Sequence, residues 1–190
     1  MTAALTAAGV TEDVCAVFAD EMRCGLMGSV RQVWAPQGMA VQQPLQMDRD
    51  NIYLHLAVES GTGRIWWRWE ARMNAPAVVS TLAAWQDAGI AAIVWDNAPS
   101  HRAQVVRDLG LALIGLPAYS PELNPAERCF EELRRRCEGK TYASLAEKVA
   151  VVEEELQRWA RCPELIQRLC HWEWIEEAMP TRQSSGLLAA

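Results

Sequence analysis

The sequence has no apolar run long enough to cross a membrane, because Gly, Pro, Gln or Asn interrupts the longest stretches without a charge. It has no Cys-x-x-Cys pair among its six cysteines and only three histidines, so we expect no zinc site. The cysteines fit the reduced thiols of a cytosolic protein. No basic segment follows Met1, and we therefore expect no secretory signal.

Positive charge is also scarce, since 18 Lys and Arg residues against 24 Asp and Glu residues give a net charge of −6. This balance argues against a protein coated with basic residues for nucleic acid. Residues 128–140 differ, because five basic side chains outnumber three acidic ones there and give a local charge of +2. The basic residues are Arg128, Arg134, Arg135, Arg136 and Lys140. They predict a DNA-backbone contact or, as the alternative, an exposed helix face without a partner.

The 190 residues, of which 51% are apolar, suffice for one domain with a real core. Their spacing predicts strands near residues 14–20, 52–59, 64–70, 90–95 and 111–116, with a hairpin or irregular excursion over 25–38. It predicts helices over residues 74–87, 99–109, 124–138, 145–159 and 163–178. This order indicates a mixed α/β sheet flanked by helices. The ribonuclease H-like fold has this order, although other mixed sheets share it.

We expect a core at residues 13–140 and a C-terminal helical extension of the same domain at residues 141–179. Residues 1–12 are expected to be loosely ordered. Residues 180–190 are expected to form a disordered tail, because small and polar residues follow Pro180.

Three acidic residues fall at the edges of the predicted elements. Asp20 ends the first strand, Asp96 ends the fourth, and Glu127 lies in the first turn of a helix. Side chains at strand ends line the rim of a sheet, where loops leave room for ligands. Three carboxylates that converge there supply hard oxygen ligands for Mg²⁺ or Mn²⁺. The sequence therefore predicts a nuclease-type metal site.

Each acid also has a plain structural interpretation. The spacing of Asn124 and Glu127 is that of a capping box, in which the glutamate folds back onto the helix cap. The Asp96–Pro99 segment fits a turn at a helix start. Asp20 fits a solubilising strand end, with Glu21 as its exposed neighbour. Taken singly, none of the three acids is specific.

The flanks of the acids carry a family resemblance. Asp-Asn-Ala-Pro-Ser-His at 96–101 follows a predicted strand, and Tyr-Ser-Pro-Glu-Leu-Asn-Pro-Ala-Glu at 119–127 opens a helix. With Phe-Ala-Asp-Glu at 18–21, Val-Trp-Ala-Pro-Gln-Gly at 33–38 and a Trp near the end, they resemble the catalytic core of mariner-superfamily transposases. The similarity is to the bacterial insertion-sequence branch, known as DDE superfamily endonucleases, and it spans residues 14–178.

The resemblance implies a ribonuclease H-like fold, with a mixed five-stranded sheet, flanking helices and extra C-terminal helices. It implies a catalytic and metal-binding triad of Asp20, Asp96 and Glu127, with 75 and 30 residues between them. It also implies two Mg²⁺ or Mn²⁺ ions, DNA cleavage at transposon ends and strand transfer to target DNA. Asn97 and His101 match the motif and are expected to orient Asp96 or contact DNA, although a surface helix position is open for His101. A homo-oligomer in the bacterial cytoplasm, associated with the nucleoid when acting, follows from the same resemblance.

The sequence departs from this family in three ways. Relatives carry an N-terminal helix-turn-helix region, whereas this sequence starts at the first catalytic strand, so we expect a separate helix-turn-helix polypeptide or a truncated remnant. The 30-residue gap before Glu127 is shorter than is usual. The acidic charge is unusual for a protein that holds DNA alone.

Two other functions stay open. A non-catalytic fragment would pair with a full-length transposase through the apolar stripe of residues 145–159, and a general nuclease would act on RNA–DNA hybrids. The strand at 64–70 also has two interpretations. Its residues Trp66, Trp67 and Trp69 pack within the sheet or, with Arg68, form a stacking platform for unpaired DNA.

Overall fold

The structure is a computed structural model that describes Ala7 and residues 14–28, 34–42 and 44–178. Within these residues five strands form one sheet: β1 Ala16–Gly25, β2 Asn51–Glu59, β3 Arg64–Glu70, β4 Ala92–Trp95 and β5 Ala112–Gly115. The strand order is β3-β2-β1-β4-β5. The first three strands in sequence pair antiparallel, whereas β4 pairs parallel with β1 and β5. The predicted mixed five-stranded sheet is confirmed.

Helices flank this sheet. The described residues form α1 Ala75–Asp87, α2 Gln104–Arg107, α3 Pro125–Cys137, α4 Leu145–Arg161, α5 Pro163–Cys170 and α6 Glu173–Ala178. Two 3₁₀ turns cover Pro99–Arg102 and Pro121–Leu123. Helices α1 and α3 begin as predicted, because the side chains of Asn74 and Asn124 cap them and a proline lies in each first turn.

The helices cover the two faces of the sheet because neighbouring strand residues point to opposite sides. On one face, Val17 and Ala19 of β1 share a buried cluster with side chains of α1 and α2. On the other face, Met22 and Cys24 share a cluster with side chains of α3, α4 and α5. Phe18 belongs to a third cluster, with β4, β5 and α6. The C-terminal helices therefore pack on the same sheet that carries the predicted acids.

The tryptophans of β3 pack within the fold. Trp67 and Trp69 lie half-buried on the face that α4 covers, and both indole Nε1 groups donate to Glu153 Oε2, at 3.0 and 2.9 Å. Trp66 packs against the cluster on the opposite face. The packing interpretation is confirmed for these side chains.

The first predicted strand was too short. Strand β1 continues to Gly25, so Asp20 lies in the middle of the strand and not at its end. Its later residues still pair with β2, whereas the parallel pairing with β4 stops at Phe18. Asp20 therefore reaches the edge of the sheet at the carboxyl end of β4, because β1 has no neighbour on that side beyond this point.

Two predicted helices are each broken into two pieces. The helix expected over 99–109 is interrupted at Ala103, whose ψ of 140° is extended. The helix expected over 163–178 is interrupted at His171, whose ψ of 94° is also extended. The second break allows α6 to turn back, so that Trp174 meets the ring of Phe18 edge-on, with centroids 6.1 Å apart. Tertiary packing therefore overrides local helical propensity.

Some expectations lie outside the described residues, namely the loose N-terminus at residues 1–12 apart from Ala7, residues 29–33 of the excursion and the tail at residues 180–190. The described part of the excursion holds a turn, in which Met39 N donates to Pro36 O at 3.1 Å. In the described part of the chain, no helix has the length and apolar character to span a membrane.

Candidate active site

A pocket of about 410 Å³ opens at the carboxyl end of β4. The three predicted acids, Asp20, Asp96 and Glu127, line it together with Asn97 and Asn124. Asp96 directly follows β4, Asp20 lies on the neighbouring β1, and Glu127 comes from the first turn of α3. The loop between β5 and α3 forms the rest of the wall. Residues from three separate elements thus converge on one cavity.

Asp20 is the most strongly perturbed acid of the pocket. Burial raises the pKa of Asp20 to about 8, and the negative charges of Glu127, Glu21 and Asp96 add to the rise. The hydrogen bond from the amide of Glu21 to Asp20 Oδ1, at 2.8 Å, opposes it. At neutral pH this carboxyl group therefore holds a proton for most of the time.

The donor set of the pocket fits a hard divalent cation. Carboxylate oxygens are the ligands that Mg²⁺ and Mn²⁺ prefer, and a positive charge beside Asp20 lowers its pKa and offsets the repulsion among the acids. The pocket is not a preformed metal-coordination site, however. Across the described residues, no group of three or more His, Cys, Asp or Glu side chains is arranged to hold a metal ion.

Asn124 ties Asp20 to the helix that carries Glu127. The Asn124 side chain is buried, and its Oδ1 caps α3 by accepting from Ala126 N at 3.1 Å. Its Nδ2 donates to Ala19 O at 3.0 Å and lies 3.3 Å from Asp20 Oδ2. One amide therefore fixes the start of α3 against β1.

Glu127 does not close a capping box. The backbone N–H of Asn124 donates to Pro121 O at 2.9 Å, and no hydrogen bond joins it to Glu127. The Glu127 side chain is 35% exposed, and its Oε2 lies 3.7 Å from Arg134 Nη1. Glu127 therefore faces the pocket and the exposed side of α3.

A buried histidine holds Asp96. The Asp96 side chain is 59% exposed, and its Oδ1 accepts from Ala98 N and from His101 Nδ1, each at 2.9 Å. The His101 side chain is 2% exposed and stacks on Trp95, with ring centroids 3.9 Å apart and 2° between the planes. Its other nitrogen, Nε2, lies 3.2 Å from Glu21 Oε1. His101 thus bridges the carboxylate of Glu21 on β1 and that of Asp96, which follows β4.

The two histidines beside Glu21 differ in charge. Burial disfavours the charged form of His101, but its hydrogen bonds to Asp96 and Glu21 outweigh burial and raise the pKa to about 10. His55 Nδ1 lies 3.5 Å from the same Glu21 oxygen, and burial lowers the pKa of His55 despite that carboxylate. At neutral pH, His101 is therefore an imidazolium and His55 is neutral.

Two residues expected to orient Asp96 or contact DNA have internal partners. His101 faces Asp96 and Glu21 from the interior, so its geometry fits an orienting role, and neither the DNA contact nor the surface helix position agrees with its burial. Asn97 Nδ2 donates to Leu116 O at 2.7 Å. A Cβ at Gly115 would lie 2.7 Å from Asn97 Oδ1, so a larger residue there would have to displace the Asn97 side chain.

The predicted basic stripe on α3 is largely paired with its own glutamates. Arg128 pairs with Glu131 and Glu132, Arg134 with Glu127, and Arg135 with Glu132. Lys140 lies in a separate cleft of about 480 Å³, which Arg136, Arg158 and Arg161 also line. The exposed ion pairs on α3 contribute little to stability, so a phosphate can compete for these arginines.

Glu21 is a site residue that the sequence did not predict. An exposed neighbour of Asp20 was expected at this position, yet the Glu21 side chain is only 11% exposed and contacts both His55 and His101. The sequence did contain a signal for the burial of Glu21. Apolar Met22 and Cys24 continue the alternating pattern of β1, so the Glu21 side chain lies on the same buried face of the strand as Ala19.

Replacing Asn124 with Ala is expected to lower the free energy of unfolding by about 2 kcal/mol, because the change removes a helix cap and the buried donor to Ala19 O. The matched control is Asn74→Ala, which removes only the cap of α1 and should cost about 1 kcal/mol. Urea unfolding of both variants at one pH provides the comparison. Equal losses would show that the bond to β1 adds nothing.

The fold and the site together define a class of protein. Its members have a helix-flanked mixed sheet with acidic residues at the carboxyl end of β4, the strand that pairs parallel with both of its neighbours. The model of the DDE superfamily endonuclease family matches residues 16–149, and the chain belongs to that family. No curated protein matches the chain in sequence.

Solved structures support the fold. The chain is similar to the Mos1 transposase paired-end complex with the left transposon end, at 19% identity and a TM-score of 0.63 over 83% of this chain and 51% of that one. It is similar to the Mos1 strand transfer complex, at 19% identity and a TM-score of 0.62 over 83% and 50%. It is also similar to the mariner Mos1 paired-end complex with Mg, at 22% identity and a TM-score of 0.60 over 82% and 51%. The chain therefore spans about half the length of these proteins, and the predicted ribonuclease H-like fold is confirmed.

Proposed function

We propose that this chain is the catalytic domain of a transposase, which cleaves DNA with divalent metal ions and joins the freed 3′-hydroxyl to a target strand. The observation that carries the proposal is the convergence of Asp20, Asp96 and Glu127 on one pocket of a DDE-family fold. Two Mg²⁺ or Mn²⁺ ions are the proposed cofactors. The motifs at 96–101 and 119–127 support placement in the bacterial insertion-sequence branch of the mariner superfamily.

The residues of the chain divide the work in this proposal. Asp20, Asp96 and Glu127 hold the ions through carboxylate oxygens. When bound, such ions activate a water or a 3′-hydroxyl and stabilise the leaving oxygen of the phosphodiester. Asp20 must give up its proton to serve as a ligand, because burial and the neighbouring acids keep it protonated in the metal-free pocket. Asn124 holds Asp20 and the start of α3 in place while this happens.

DNA is the proposed substrate and partner, with a second copy of the chain as a proposed assembly partner. One Mos1 structure is a paired-end complex with a transposon end and another is a strand transfer complex, which supports a DNA substrate here by analogy. Asn97, Arg128, Arg134, Arg135 and Lys140 remain proposed DNA contacts. The net charge of −6 lowers the affinity that these side chains can give the chain for the DNA backbone. We therefore expect weak binding and nonspecific nicking from the isolated chain.

The test is nicking of a supercoiled plasmid by the isolated chain with Mn²⁺, with EDTA as the metal-free control and an RNA–DNA hybrid as a second substrate. The proposal predicts nicked circles with Mn²⁺ and none with EDTA. Cleavage of the hybrid without any cleavage of duplex DNA would favour a general ribonuclease H-like nuclease instead. Sequence-specific excision of a transposon end by the isolated chain would contradict the expectation of weak, nonspecific activity.

A second candidate function is a catalytically silent fragment that regulates or assembles with a full-length transposase. The specific observation in its favour is that no three acid side chains of the described residues are arranged to hold a metal ion. Folded protein that neither nicks DNA nor binds Mn²⁺, but co-elutes with a full-length relative in size-exclusion chromatography, would support this candidate.

A further inference from the structure

We propose that His101 and Glu21 are positioning residues for Asp96. In this arrangement Glu21 of β1 fixes the His101 ring, and the ring fixes the Asp96 carboxylate at the angle at which it ligates a divalent cation. The inference rests on the proposed function, because it assigns Asp96 to the metal. It adds two residues, on the face of the sheet opposite Asp20, that the acid triad does not contain.

Two donors hold the Asp96 carboxylate in one geometry. Asp96 follows the last residue of β4 and is 59% exposed, so the strand alone does not restrict its side-chain rotamer. Its Oδ1 nevertheless accepts from the Ala98 amide and from His101 Nδ1, each at 2.9 Å. The ring nitrogen also lies 3.2 Å from the Asp96 backbone oxygen. Two donors therefore fix the position of one carboxylate oxygen and, with it, the plane of the group.

The His101 ring that makes this contact is itself held in place. His101 is buried, and it lies flat on Trp95 with 2° between the two ring planes. On the other side of the ring, His101 Nε2 lies 3.2 Å from Glu21 Oε1. Stacking restricts the ring to one plane, and the two carboxylates fix its rotation within that plane. Because the ring is held in this way, the position of Glu21 on β1 determines the position of the Asp96 carboxylate at the end of β4.

The break in the predicted helix determines the direction of the His101 side chain. Residues 99–109 do not continue as one helix, because a 3₁₀ turn at Pro99–Arg102 ends at the extended residue Ala103. This short turn points His101 inward instead of along an exposed helix face. The local backbone thus brings the ring under Asp96, which accounts for the interruption in functional terms.

Groups that orient metal ligands typically change metal affinity by 10- to 100-fold when they are removed. In His101→Phe, the ring and its stacking on Trp95 remain and both nitrogens are lost. In His101→Asn, the side chain retains a donor near the position of Nδ1. The matched control is His55→Phe, which makes the same change at a buried histidine that contacts Glu21 but not Asp96.

The experiment measures the Kd for Mn²⁺ alone, by electron paramagnetic resonance of the free ion, together with the Tm of each full-length variant. We expect His101→Phe to raise the Kd by about 10- to 100-fold, His101→Asn to raise it less, and His55→Phe to leave it at the wild-type value. A purely structural role would change the Tm without changing the Kd, and would affect both phenylalanine variants alike.

A wild-type Kd in folded His101→Phe would overturn the inference and leave the proposed function standing. No Mn²⁺ binding by the wild type would overturn both. If His101→Phe does not fold, Glu21→Leu carries the test, because it frees the ring from its anchor. We expect a raised Kd for Glu21→Leu, and an unchanged Kd would overturn the inference.

Discussion

Asp96→Asn is expected to lower Mn²⁺-dependent plasmid nicking by about 10³-fold, which corresponds to about 4 kcal/mol of lost transition-state stabilisation. The asparagine keeps the shape of the side chain and an oxygen for the Ala98 amide and His101 Nδ1, but it removes the negative charge that holds a cation. Because Asp96 is 59% exposed, the fold should tolerate the change. The rate of appearance of nicked circles gives the measurement.

The control for this loss is Asp87→Asn, which removes the same charge from the exposed end of α1, away from the pocket. It should nick at the wild-type rate. Circular dichroism and the Tm establish that both variants fold. Nicking by Asp96→Asn at more than about a tenth of the wild-type rate would remove Asp96 from the proposed metal site.

Asp20→Asn is expected to stabilise the metal-free protein at pH 8 by about 5 kcal/mol relative to the wild type. Burial and the charges of Glu127, Glu21 and Asp96 raise the pKa of Asp20 to about 8 from 3.8. The folded state therefore binds more protons than the unfolded state between these two values, and wild-type stability falls as the pH rises through that window. Asparagine does not titrate, so the variant lacks this loss.

Urea unfolding in EDTA at several pH values between 4 and 8 measures the effect. The free-energy difference between Asp20→Asn and the wild type should grow with pH and be smallest near pH 4. The exposed Asp87→Asn variant provides the control, with a difference that does not grow across the window. A constant difference for Asp20→Asn would show that Asp20 is not the protonated acid of the pocket.

The parts of the fold that follow from short-range signals were predictable. The turn at residues 60–63 set the β2–β3 hairpin, and the Asn-x-Pro and Asn-Pro starts set the beginnings of α1 and α3. The apolar spacing over residues 145–159 predicted α4, since one amphipathic stripe suffices to define a helix. These features depend on residues close together in the chain.

The parts that depend on distant partners were not predictable. The length of β1 is set by pairing with β2 far along the chain, so the strand does not stop where its unbroken apolar run ends. The break after Pro99–Arg102 accompanies the burial of His101 against Glu21, 80 residues away in the chain. Local propensity carries no information about such a contact.

In the candidate site, too, features carried by local motifs were predictable and contacts between distant residues were not. The motifs brought Asp20, Asp96 and Glu127 together in prediction, and the pocket that they line agrees with it. Their roles as catalysts and ligands stay predictions. For Glu21 and Asn124, which support the site, the sequence predicted only an exposed neighbour and a helix cap, because their second partners lie on other elements.

Anomalous diffraction at the manganese edge, from crystals of this chain that contain Mn²⁺, tests the proposed metal site most directly. We expect anomalous density in the pocket at the carboxyl end of β4, within coordination distance of Asp20 and Asp96 and next to Glu127. Saturating Mn²⁺ that gives density only elsewhere on the protein, or none at all, would show that this pocket is not the metal site.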